Sequence, residues 1–232
     1  MQKCTFSKKN SIIMIMINSL IFISTAVVAG YGIFHGAGSG QVGSSVIGWG
    51  YFIPYTMDSN LLAGISSLIL IIFAIRSIAS SQNKLPRWAV TFQLMSTTCL
   101  CLTMAVAAVF LGPQKAMMGQ GYFSMFQGDM FFFHLLNPVL AIISFTCLIR
   151  DYAYRFPECI LAAVPTILYS FVYLFMVVFL KVWDDFYNFT FGGRYNMVPL
   201  VFVVIYALVL FAGCILIRLH NRNNNKSDIH VP

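Results

Sequence analysis

Apolar runs of about 20 residues recur six times along the chain, with only short polar segments between them. In lipid, every backbone N–H and C=O must find its partner within the protein. A run of that length therefore crosses a bilayer as a helix or does not cross at all. The composition agrees: 59% of the 232 residues are hydrophobic and 9% are charged, where soluble domains carry roughly 25% charged residues. The expectation is an all-α, polytopic integral membrane protein, forming a single six-helix domain over residues 1–232. The spans are read at about 11–34, 54–78, 88–111, 130–148, 159–180 and 198–217, with a loose basic tail over 218–232.

The net charge of +7 would suggest nucleic acid in a soluble chain. Here the basic residues stand at the ends of apolar runs, so no nucleic-acid partner is expected and they report topology instead. Lys3, Lys8, Lys9, Arg76, Lys84, Arg87, Arg150, Arg155, Arg218, Arg222 and Lys226 fall on one side. Only Lys115, Lys181 and Arg194 fall on the other. By the positive-inside rule both termini are cytoplasmic, in a multi-pass protein of the cell membrane. The first apolar run is longer than the core of a secretory signal and is read as a retained helix. The cysteines lie in apolar runs or on the cytoplasmic side, so no structural disulfide is expected. Cys99 and Cys101 are two residues apart on one helix and point apart, and no metal or other cofactor is expected.

Two polar knots interrupt the apolar pattern. One is Tyr55-Thr56-Met57-Asp58-Ser59-Asn60 at the head of the second run. The other is Met130-Phe-Phe-Phe-His134-Leu-Leu-Asn137-Pro138 in the fourth. A titratable ring at membrane depth is costly and marks a functional site by default. His134 falls five residues past Asp129, about 7–8 Å along a helix axis, just beneath the outer surface. Both knots enter from the outer side, and Asp184, Asp185 and Arg194 lie in an outer loop, so the reactive side chains gather in one leaflet. Thr56, Asn60, Gly64 and Ser67 share one helical face, small and polar as an interior stripe should be.

These parts suit acyl transfer. An imidazole with a near-neutral pKa is a general base, and a threonine hydroxyl is a weak nucleophile that needs such a base within reach. Asn60 or Asn137 would fix the ring's tautomer or donate to a developing oxyanion. Structural readings stand beside these. His134 would lock two helices through Asn60 or a hydroxyl. Asp58 and Asp129 would cap helices. Asp184 and Asp185 would form a solvated edge paired with Arg194, and the aromatic residues around them would anchor the interface.

The segment Tyr55-Thr56-Met57-Asp58-Ser59-Asn60-Leu61-Leu62 resembles the aromatic-Thr-x-x-Ser-Asn-Leu opening of the androgen-induced protein and ADTRP-like membrane family and its bacterial relatives. His134-Leu135-Leu136-Asn137-Pro138 resembles that family's His followed by Pro, and the aromatic loop around Asp184, Asp185 and Gly192-Gly193 is similar in kind. The likeness covers about residues 51–218. It implies a multipass hydrolase of fatty-acyl esters, with Thr56 as nucleophile, His134 as base, and membrane lipids or a lipid-like substrate as partner. The Asp-Ser-Asn after the threonine is more hydrophilic than the animal enzymes would suggest, which keeps Ser59 as a second candidate nucleophile. Two other classes compete with the esterase: a small proton- or solute-linked transporter using His134 and the acidic residues, and a non-catalytic membrane scaffold.

Overall fold

The structure is a computed structural model that describes residues 8–35, 48–80, 84–150, 152–185 and 187–227; Cys4, Asp151 and most of the Gly/Ser-rich segment after His35 lie outside them. Six helices are long and apolar enough to cross a membrane. We number them α1 (Lys8–His35), α2 (Tyr55–Ser80), α3 (Arg87–Met117), α4 (Asp129–Leu148), α5 (Phe156–Phe179) and α6 (Val198–Ser227). Among the described residues there is no strand. The chain is therefore an integral membrane protein of the all-α class.

Consecutive helices run antiparallel. Ser59 bonds Thr103 and Ser66 bonds Gln93, so the index on α3 falls as that on α2 rises. Six alternating spans put the start of α1 and the end of α6 at one end of the bundle, the base; the opposite end is the rim.

The interior of α1–α4 is layered. At the base, Met14, Leu70, Ala74, Val90, Leu94, Phe145 and Leu148 form an apolar floor. One to two turns toward the rim, Ile21, Ala63, Leu100 and Ala141 meet in a second apolar layer, one residue from each helix. Val28, Ala29, Tyr51, Met57, Met130 and Phe133 close the rim. Between these layers lie buried polar side chains. Asn18, Ser67, Thr97 and Ser144 fall between floor and collar on their helices, and Ser24, Thr25, Asn60 and Asn137 fall between collar and rim. Lipid gives helices no hydrophobic reason to associate, so close packing and interhelical hydrogen bonds hold the bundle. Gly64 serves the packing: a Cβ there would stand 3.0 Å from Thr25 Cγ2, so α1 and α2 approach only because it has none.

Two helices outlast their expected ends. The third span was expected to stop near residue 111, before Gly112-Pro113. It runs to Met117 because a π-helical turn, Ala107–Leu111, loosens the backbone just ahead of the proline, with Gly112 N–H reaching Ala107 O. The helix thus passes through the proline without ending. The basic tail was expected to be loose from Arg218, yet α6 continues to Ser227. His220, fully buried, sets Nδ1 2.9 Å from Phe145 O and Nε2 2.7 Å from Tyr152 O. Asn221 donates to Tyr154 O and accepts from Tyr154 N–H, clasping the 150s segment onto α6.

At the rim the loop before α6 is tied by Asp185. Its carboxylate accepts from the Tyr173 hydroxyl at 2.7 Å, from the backbone N–H groups of Phe189 and Thr190, and from the Thr190 hydroxyl at 2.6 Å. Partial burial opposes the charge, but these bonds outweigh it and hold the carboxyl below its ordinary range. The expected pairing with Arg194 is not made: among the described residues no ion pair joins Asp184 or Asp185 to Arg194, and both Asp184 and Arg194 are exposed. Asp185 instead gathers donors from the turn at Asn188–Thr190 and from Tyr173 of α5.

Candidate active site

The two polar knots meet. Thr56, the second residue of α2, is 7% exposed, and its Oγ1 stands 3.5 Å from Nε2 of His134, which is fully buried. The other ring nitrogen, Nδ1, lies 2.8 Å from the Met125 carbonyl oxygen. A carbonyl can only accept, so Nδ1 carries the proton and Nε2 presents its lone pair to the Thr56 hydroxyl. That is the arrangement a general base needs. The 3.5 Å separation is at the long end for a hydrogen bond, as is common before substrate closes such a site.

The local sequence explains the aim of His134. Pro138 has no N–H and its ring would collide with the carbonyl four residues back, which is that of His134. The backbone answers with a π-helical turn over Phe132–Leu136, and Asn137 N–H reaches Phe132 O. π-turns of this kind recur at functional sites because they re-aim one side chain. The segment Tyr122–Phe126 then folds over the ring: Met125 supplies the carbonyl, and the Phe126 ring stands edge-on to the imidazole at 6.4 Å.

Asn60 and Asn137 sit directly beneath, both fully buried. Asn60 Nδ2 donates to Thr56 O at 2.8 Å and to Phe133 O at 3.3 Å. Asn137 Nδ2 donates to Asn60 Oδ1 at 3.0 Å and to Thr25 Oγ1 at 3.3 Å, and its Oδ1 accepts from Ser24 at 2.7 Å. All four amide hydrogens are committed. The expected roles of these amides are therefore revised: the Met125 carbonyl fixes the tautomer, and Asn60 and Asn137 tie α1, α2 and α4 together and hold the Thr56 backbone.

Ser59 faces away from the ring. Its Oγ lies 2.8 Å from Thr103 Oγ1 and 3.1 Å from Thr56 O, with the Thr103 hydroxyl in turn bonded to Cys99 O. Among the described residues no imidazole or carboxylate is bonded to it, which ranks Thr56 above it. Asp129 takes up an exposed N–H of the first turn of α4, as expected, but from inside the helix and not from the residue before it. Gly128, at φ 59°, occupies the cap position, and Asp129 stands at the first helical residue with its carboxylate on the Met130 N–H at 3.0 Å. The glycine is there because the chain must turn left-handed at that point. Asp58 is half-buried in the first turn of α2, where the helix dipole favours an acidic group. Tyr187 caps that helix from the rim loop, its hydroxyl accepting the Tyr55 N–H at 2.8 Å.

Among the described residues no three His, Cys, Asp or Glu side chains converge as a metal would require. No family model, curated protein or solved structure matches this chain.

Proposed function

We propose that this membrane protein is an intramembrane hydrolase of fatty-acyl esters, with Thr56 as nucleophile and His134 as general base. The observation that carries the reading is the line Thr56 Oγ1, His134 Nε2, His134 Nδ1, Met125 O, spaced 3.5 Å and 2.8 Å at its two hydrogen bonds. Thr56 Oγ adds to the ester carbonyl carbon while its proton passes to Nε2. The tetrahedral adduct collapses with cleavage of the bond to the alkoxy oxygen, which takes that proton and leaves as the alcohol. Water then attacks the acyl-threonine, giving its proton to Nε2, and the fatty acid departs as Thr56 regains its hydrogen. The resemblance of both knots to the androgen-induced family supports the same two roles.

The substrate reaches the site from the outer leaflet of the cell membrane, with both termini in the cytoplasm; the asymmetry of Lys and Arg supports that sidedness. A fluorophosphonate probe tests the chemistry. Wild type and Ser59→Ala are expected to label, whereas Thr56→Val and His134→Gln are not. Labelling that persists in Thr56→Val refutes the assignment. For sidedness, a cysteine introduced at Lys181 should react with an impermeant maleimide in intact cells, and one at Arg222 should not.

A further inference from the structure

Beneath the site lies the lower polar layer, bounded by the floor on one side and the Ile21, Ala63, Leu100, Ala141 collar on the other. Asn18, Ser67, Thr97 and Ser144 occupy it from four different helices, each fully buried. Their positions follow from register: Asn18 lies between Met14 and Ile21, Ser67 between Ala63 and Leu70, Thr97 between Leu94 and Leu100, and Ser144 between Ala141 and Phe145. Gln93 stands one turn below Thr97 and accepts from Ser66 at 2.6 Å.

Asn18 Nδ2 donates to Ser144 Oγ at 2.8 Å. Four other polar atoms in and beside this layer find no hydrogen-bond partner among the described residues: Asn18 Oδ1, Ser67 Oγ, Thr97 Oγ1 and Gln93 Nε2. Burying one such group unpaired is costly, and burying four in neighbouring helices is contrary to the way proteins are built. Thr97 is informative by contrast with its neighbours. Ser96 bonds back to Gln93 O and Thr98 to Leu94 O, the usual resort of a hydroxyl in an apolar helix, whereas Thr97 makes no such bond. Its hydroxyl is left for a partner across the bundle.

We propose that this layer is a binding site for water, held in the middle of the membrane span and bridging α1, α2 and α3. The donor and acceptor inventory selects the ligand. Asn18 Oδ1 only accepts, Gln93 Nε2 only donates, and the two hydroxyls do either. Water offers two donors and two acceptors and meets that mixture. A monovalent cation would serve the oxygens alone and leave the Gln93 amide opposed to it. The site is separate from Thr56 and His134 and does not depend on their chemistry.

The test is thermal unfolding of the full-length protein in detergent. Thr97→Val and Ser67→Ala, which remove a hydroxyl with little change of shape, are each expected to lower Tm by about 2–4 °C. The double variant should lose less than the two losses added, because the first already frees the shared water. Thr97→Ser should stay near wild type. If Thr97→Val raises Tm or leaves it unchanged, the hydroxyl was an unsatisfied group whose removal is a relief, and the proposal is overturned. A rise in Tm produced by sodium but not choline chloride at equal ionic strength, and abolished by Thr97→Val, would overturn water in favour of a cation.

Discussion

Replacing Asn137 with leucine asks how much of the bundle's stability rests on the amide lattice beneath the site. The side chain is similar in volume and equally at home in a buried helix, so packing changes little. Three interhelical bonds are lost: those to Asn60 at 3.0 Å, to Thr25 at 3.3 Å and from Ser24 at 2.7 Å. Interhelical hydrogen bonds in membrane proteins average about 0.6 kcal/mol by double-mutant cycle, which gives about 2 kcal/mol for the three. The partners do not suffer equally. Ser24 keeps its bond to Ile21 O and Thr25 its long contact to Asn60 O, but Asn60 Oδ1 loses the donor facing it. An acceptor left unpaired adds about 1–3 kcal/mol. The expected cost is therefore about 3–5 kcal/mol, built from these two contributions, read as the shift in unfolding free energy in mixed dodecylmaltoside–SDS micelles. A cycle with Asn60→Leu isolates the pair, and a coupling of about 0.6–1.7 kcal/mol is expected. A cost below about 0.5 kcal/mol, within the range of ordinary surface changes, would refute the view that these bonds hold α4 against α1 and α2.

Three shorter predictions follow from the same geometry. Ester hydrolysis should survive Thr56→Ser in part, vanish in Thr56→Val and fall by less than about tenfold in Ser59→Ala, since His134 stands beside Thr56 while Ser59 bonds Thr103; a kinetic assay on a micellar acyl ester decides. Gly64→Val should destabilise by about 1–3 kcal/mol through overpacking against Thr25, seen in the same micellar unfolding. Asp185 gives a pH signature. Its folded-state pKa lies below the ordinary value, so its contribution is complete above the unfolded carboxylate value of about 3.9 and is lost as pH falls through the lower folded value. Proteolytic nicking of the loop before α6 should rise in that acid window in wild type. Asp185→Asn should remove that dependence.

The helices were legible because lipid leaves the backbone no alternative, and apolar run length translates almost directly into span. Thr56, Asn60, Gly64 and Ser67 could be placed on one inward face because they repeat at helical spacing. Several of the missed parts depend on backbone. The Met125 carbonyl that orients His134 has no side-chain signature, and the π-turns before Pro113 and Pro138 come from strain that a span count does not register. Gly112-Pro113 reads as a helix stop by the usual rule, yet one loosened turn absorbs the clash. Ser24 and Thr25 offered a signal, being consecutive hydroxyls in an apolar helix. Their role emerges only when α1 is laid against Asn60 and Asn137. The Asn-rich stretch after Arg218 is polar enough to read as solvent-exposed, but Asn221 and Asn224 spend their amides on the Tyr154 and Tyr152 carbonyls.

The collar of Ile21, Ala63, Leu100 and Ala141 does more than fill space. Its four side chains are all apolar, so among the described residues the collar itself offers no polar side chain to join the layer of Asn60 and Asn137 to that of Asn18 and Ser144. Replacing Ala63 or Ala141 by serine would be the smallest change that sets a hydroxyl in this seal.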